Sequence, residues 1–217
     1  MRTFCQCLGN VLRAKLVRTR LGAAMAHAMI VSEPNRKILV EDREKIQESI
    51  LYLLSRKARL TQFQIGKALY FADLYHLNKY GRPVTFDNYV AMRKGPVPSL
   101  AYDALKPDFN YRAAFGGERP WTWTPSGNHP EANEFTASRE PDSDALSETD
   151  HEALRLGLKI VLTTPRGEFE RMTHENKAYR DAWLKRGSAK SYPMRLALMI
   201  EEGGDELAAD LAYISAH

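Results

Sequence analysis

Asp73 and His76 stand three positions apart in one apolar stretch, a spacing that puts both side chains on the same face of a helix. Such a pair can begin a metal site or an acid–base couple. A metal site needs a third ligand from elsewhere, and nothing at a recognised spacing supplies one. The plainer expectation is a buried Asp–His hydrogen bond or a pair on the helix surface. His151 and His174 each sit beside a residue placed to cap a helix, an ordinary position for a polar side chain. Cys5 and Cys7, the two cysteines of the chain, form a lone C-x-C near its start. They exclude a disulfide framework, and a thiol in such a segment lacks the helix terminus that would activate it. Gly116-Gly117 lacks the Gly-Lys-Ser/Thr of a phosphate loop, and no G-x-G-x-x-G occurs. No catalytic, cofactor-binding or metal-binding residue is therefore assigned. The expectation is a cofactor-free, non-enzymatic domain that acts by binding.

Asp73 and His76 belong to the most completely specified helix in the chain. Thr61 with Gln64 is a capping-box pair, flanked by Leu60 and Ile65 as a hydrophobic staple. Gly81 stands where a left-handed residue closes a helix, and Pro83 bars continuation. Between them Phe63, Ile65, Ala68, Leu69, Tyr70, Phe71, Ala72, Leu74, Tyr75 and Leu77 cover most of the circumference. A helix apolar nearly all round is packed on several sides. The pattern predicts a central buried helix over Thr61–Tyr80.

Around it the chain reads as α+β, predominantly α-helical: a single helical domain with a small inserted β element. Glu41–Lys57 has helical spacing at Ile46, Ile50, Leu53 and Leu54, with the Lys57 stem on the same face and Glu44, Lys45, Gln47 and Glu48 facing water. Val84–Met92 is extended, and Gly95-Pro96-Val97-Pro98 is a stiff turn. Ser99 caps a short helix that Pro107 ends. Trp121-Thr122-Trp123-Thr124 is a short strand, and Phe135 marks its pairing partner. Ser147 caps a helix with Leu154, Leu158, Val161 and Leu162 buried. Phe169 and Met172 form an apolar turn, Thr173 caps a helix carrying Trp183, and Ser191–Pro193 begins another. A last helix shows Leu207, Leu211 and Ile214.

The segment KALYFADLYHLNKYGRPVTFDNYVAMRKGPVP, Lys67 to Pro98, resembles the central motif of the SocA-like antitoxins, the Panacea domain. The matching pieces are Leu69-Tyr70-Phe71-Ala72-Asp73, Gly81-Arg82-Pro83, the strand Asn88–Met92 and Gly95-Pro96-Val97. Leu146-Ser147-Glu148-Thr149-Asp150 and Met172-Thr173-His174, with Trp183, resemble the family's later helical half, so the likeness runs from about Arg43 to Trp183. It implies an antitoxin that neutralises a cognate toxin protein by contact, by occlusion or by delivering it to a protease. It also implies that the central helix is architecture and that surface segments choose the partner. On this reading residues 1–37 are a basic, disordered extension outside the family pattern, and 38–217 are the domain.

The charge balance bears on partners. The chain carries a formal +4. Six basic residues (Arg2, Arg13, Lys15, Arg18, Arg20, Arg36) against Glu33 fall within residues 1–36, leaving the rest nearly neutral. The pI near 9.0 therefore belongs to the extension. Within Arg155–Arg195 ten basic residues face four acidic ones, whereas Glu201–His217 has five acids and no Lys or Arg. This polarity fits an internal match between helices or, as the alternative function, a nucleic-acid-binding regulator using 155–195. A cytoplasmic setting and no membrane span are expected. Tyr89, Met92, Arg93 and Lys94, next to the proline-stiffened turn, are the candidate partner-binding residues, because Tyr, Met and Arg suit interfaces.

Overall fold

The computed structural model describes residues 36–126 and 132–200. Residues 1–35 of the basic extension expected over 1–37, and the last expected helix, lie outside them. Among the described residues seven α-helices and two small antiparallel sheets give an α+β fold that is predominantly helical. In chain order these are α1 (Val40–Arg56), β1 (Leu60–Thr61), α2 (Gln62–Tyr80), β2 (Tyr89–Met92), β3 (Gly95–Pro98), α3 (Ser99–Ala104) and α4 (Tyr111–Phe115). There follow β4 (Trp121–Thr124), β5 (Glu134–Ala137), α5 (Glu148–Thr163), α6 (Arg166–Glu175), α7 (Lys177–Lys185), β6 (Ser191–Pro193) and a 3₁₀ turn at Leu196–Met199.

α2 is the central helix. Its capping box forms as the sequence predicts: Gln64 N–H donates to Thr61 Oγ1, and Thr61 N–H donates to Gln64 Oε1. Gly81 closes it at φ 77°, a left-handed conformation that glycine adopts without penalty. Leu69, Phe71, Ala72 and Tyr75 are all buried. α5 lies against it, and the two backbones approach closely at Gly157. A Cβ there would stand 2.2 Å from the Ala68 carbonyl oxygen. A polar cluster closes the far end of the same seam. Tyr75 Oη, Lys79 Nζ and Tyr80 Oη all donate to the Glu152 carboxylate, at 2.7, 2.7 and 2.5 Å.

Both sheets pack against α2. One has the order β1-β5-β4, pairing Leu60 with Phe135 and Trp123 with Phe135's other edge. The other has the order β3-β2-β6, with Arg93 and Lys94 as the two-residue loop of the β2–β3 hairpin.

Several expectations are corrected. Ser191–Pro193 is a strand, not a helix start, because its backbone completes the sheet beside β2. Phe169 and Met172 belong to a ten-residue helix. Thr173 lies inside that helix, its hydroxyl donating back to the Phe169 carbonyl, and Asn176 caps α7 instead. Ser99 makes no capping bond. The Asp87 carboxylate, distant in sequence from the Ser99 pattern, takes the Leu100 and Ala101 amides. Leu162 is 47% exposed, rotated off the buried face of α5. Lys57 is exposed at the α1 C-cap rather than packed along the buried face. Glu48 is buried rather than solvated, because Arg139 and the Asp142 amide converge on it.

Gly157→Ala tests the helix contact. Alanine is the better helix former by about 1 kcal/mol, so propensity alone predicts a gain. The close approach predicts instead a net loss of about 1–3 kcal/mol in urea denaturation. Gly66→Ala, whose Cβ would meet Pro98 at an ordinary 3.7 Å, should keep or raise stability. The Glu152 cluster makes a pH prediction. Its three donors hold the carboxyl down to about 2, from an ordinary 4.5, against the upward push of burial. A lowered native pKa stabilises the fold above the unfolded value and is lost as pH falls. Wild type should therefore lose stability between about pH 4.5 and 2 more steeply than Glu152→Gln, followed by thermal melts across that window.

Candidate functional site

Asp73 is fully buried on α2, and its carboxylate gathers four donors from the chain after Gly81. Oδ1 accepts the Val84 and Thr85 amides at 2.8 and 2.9 Å. Oδ2 accepts the Thr85 hydroxyl at 2.5 Å and the Tyr89 hydroxyl at 2.9 Å. Burial pushes this carboxyl above its ordinary range against the opposing effect of its donors. Asp87, equally buried and repelled by Asp73, is pushed up to about 7. Between the two acids Phe86 adopts φ 54°, strained for a bulky residue. Its carbonyl is clamped by the Arg36 guanidinium, which also pairs with Asp42 at 2.5 Å.

His76 does not bond Asp73, contrary to the expected pair. Its Nδ1–H donates to the Arg82 carbonyl at 2.7 Å, which leaves Nε2 to accept the Thr149 hydroxyl at 3.0 Å. Burial holds the ring down to about 4, so it is a neutral structural imidazole. His151 stacks on Tyr52, and His174 stacks on Tyr179. No group of three His, Cys, Asp or Glu side chains converges as a metal site among the described residues.

The four candidate partner-binding residues part company. Tyr89 is fully buried, its hydroxyl spent on Asp73, so it is corrected from contact residue to framework. Met92, Arg93 and Lys94 instead line the mouth of a cavity of about 550 Å³ between α2, the β2–β3 hairpin and the end of α7. Sequence reasoning found this loop but not what faces it. Lys67, on α2 within the motif segment, forms the floor: its Nζ donates to the Pro96 carbonyl at 2.6 Å. Arg186 and Lys190 line it from beyond α7. Burial is the larger influence on Lys67, holding the amine down to about 7, while Glu170 opposes the shift. The signal available in the sequence was a lysine directly before the apolar run Ala68–Ala72.

On the far wall Trp183 ends a stacked ladder. His174, Tyr179 and Trp183 lie face to face at 4.5 and 5.7 Å, and the Arg186 guanidinium covers Trp183 at 3.7 Å. Tyr179 Oη donates to the Met92 carbonyl at 3.0 Å, pinning the ladder to the hairpin. Gly95, at φ 100°, lets the hairpin pass over α2 and α6. A Cβ there would stand 2.7 Å from Thr173 Oγ1 and 2.8 Å from Lys67 Nζ. Elsewhere in Arg155–Arg195 three cations are paired within the segment: Arg171 with Glu175, and Lys185 and Arg195 with Asp181. No helix among the described residues is long and apolar enough to cross a membrane.

Compared with known proteins, residues 65–180 match the family model described as antitoxin SocA-like, Panacea domain. No curated protein and no solved structure matches the chain.

Asp73→Ala is expected to lose at least about 3 kcal/mol, because several buried donors are orphaned at about 1–3 kcal/mol each. Asp73→Asn, which keeps one carbonyl acceptor for the Val84 and Thr85 amides, should lose less. Chemical denaturation with amide exchange at Val84 and Thr85 checks this ranking; equal losses would deny the carboxylate its organising role.

Proposed function

The chain belongs to the antitoxin SocA-like, Panacea-domain family, and from that membership we propose that it neutralises a cognate toxin protein by direct binding. The observation that carries the choice of surface is the Arg93–Lys94 loop at the cavity mouth. A two-residue loop held by the ladder and by prolines on the next strand loses little freedom when a partner docks. Met92 adds an adaptable apolar contact beside the two charges. A toxin surface that is acidic around a small apolar patch fits this corner. Direct occlusion needs this contact alone, whereas handing the toxin to a protease needs a second docking surface on the same chain.

The experiment uses the product of a small adjacent gene that is toxic when expressed alone. Arg93→Glu with Lys94→Glu should weaken binding to that protein by at least about tenfold, through lost complementarity and new repulsion, while circular dichroism stays unchanged. Unaltered toxin binding by the folded double variant would remove this loop from the interface.

A further inference from the structure

Lys67 is a buried ammonium facing a cavity. It is 3% exposed, yet its three N–H donors have one hydrogen-bond acceptor among the described residues, the Pro96 carbonyl. Glu170 acts on it from the α6 side without a hydrogen bond, and His174 stands on the same side. Four further cations, Arg93, Lys94, Arg186 and Lys190, line the cavity, and among the described residues no Asp or Glu does. Like charges focused into one concavity raise the local potential and favour a multiply charged anion. A lone carboxylate carries one charge, whereas a di- or triphosphate carries several within the same span.

The rest of the lining decides the remainder of the ligand. Phe63, Met92 and Val97 give the cavity an apolar side. Its volume of about 550 Å³ falls within the range of small-molecule sites and far exceeds inorganic phosphate. An extended peptide is less suited. β3, the sheet edge lining the cavity, has proline at two of its four positions, and proline offers no N–H to an added strand.

We propose that this cavity binds a nucleoside phosphate, with the phosphates on Lys67 and the cationic lining and the base against Phe63, Met92 and Val97. The site adjoins the loop proposed for toxin contact and shares Arg93 and Lys94 with it, but its test needs no toxin, so the two readings fail separately. Binding has a proton signature. Burial holds the free Lys67 amine down to about 7. An anion beside it favours the charged form, so the ligand draws in a proton when the surrounding pH is above that value.

The test is calorimetric titration of the full chain with ADP at pH 8, with chelator present, in buffers of differing ionisation enthalpy. ADP is fully ionised there, since a phosphate ester's second pKa lies near about 6. Saturable binding with uptake approaching about one proton per ADP is expected, with no binding of adenosine. Lys67→Met should abolish the uptake and weaken binding at least about tenfold. Lys190→Ala, at an exposed position, should weaken binding while the uptake persists. If Lys67→Met does not fold, the wild-type uptake and Lys190→Ala decide the matter. Absent ADP binding, binding without proton uptake, equal binding of adenosine, or tighter binding of a hexaglutamate peptide than of ADP would overturn the proposal.

Discussion

A single carboxylate ties the β2–β3 hairpin to the central helix. Asp73 replaces the water that the Val84 and Thr85 amides and the Thr85 and Tyr89 hydroxyls would otherwise need. Burying a charged group is costly unless its partners are complete, so this arrangement is all-or-none. It brings the chain back along α2 immediately after Gly81 has turned it. Asp87 then repeats the device one step on by capping α3. The left-handed Phe86 is held between these two anchored residues, where Arg36 fixes its carbonyl. A bulky residue persists in such a conformation only when its surroundings over-determine it.

The consequence for the cavity is geometric. With β2 fixed by Tyr89, the hairpin leaves α2 at Met92 and returns at Gly95, directly over Lys67. The glycine lets the backbone pass close enough for the Pro96 carbonyl to meet the ammonium. β6 continues the same sheet from the far end of the chain, so the stretch between α7 and β6 that carries Lys190 is drawn to the hairpin. Thus the cations of one small region come from three separated stretches of sequence. Composition alone shows a nearly neutral domain, because acids elsewhere balance them.

What was legible in the sequence followed from local rules. The α2 capping box, the Gly81 stop, the Ser147 cap of α5 and the Trp121 strand each depend on residues within a few positions, and the structure has them. The misreadings share one cause. Ser191–Pro193 reads as a helix start until a distant strand gives its amides partners, and the Ser99 cap is displaced by a carboxylate from across a hairpin. Glu48 looks solvated until Arg139 arrives from far along the chain. Tyr89 has the chemistry of an interface residue, and only the position of Asp73 shows that its hydroxyl is already spent. Long-range pairing overrides local preference at each of these points.

The same logic separates framework from recognition among the motif residues. Asp73, His76, Tyr89 and Gly95 all face inward or hold a backbone conformation, so changing them alters the fold before it alters any contact. Arg93 and Lys190 are exposed at the cavity, so changing them alters its charge while the framework stays. Lys67 stands between the classes: it is buried like a framework residue, yet beside the Phe63 ring its ammonium has one hydrogen-bond acceptor among the described residues. A fully satisfied buried lysine would be architecture alone. An incompletely satisfied one bears a desolvation cost that an arriving anion offsets, which couples what fills the cavity to the protonation of the central helix.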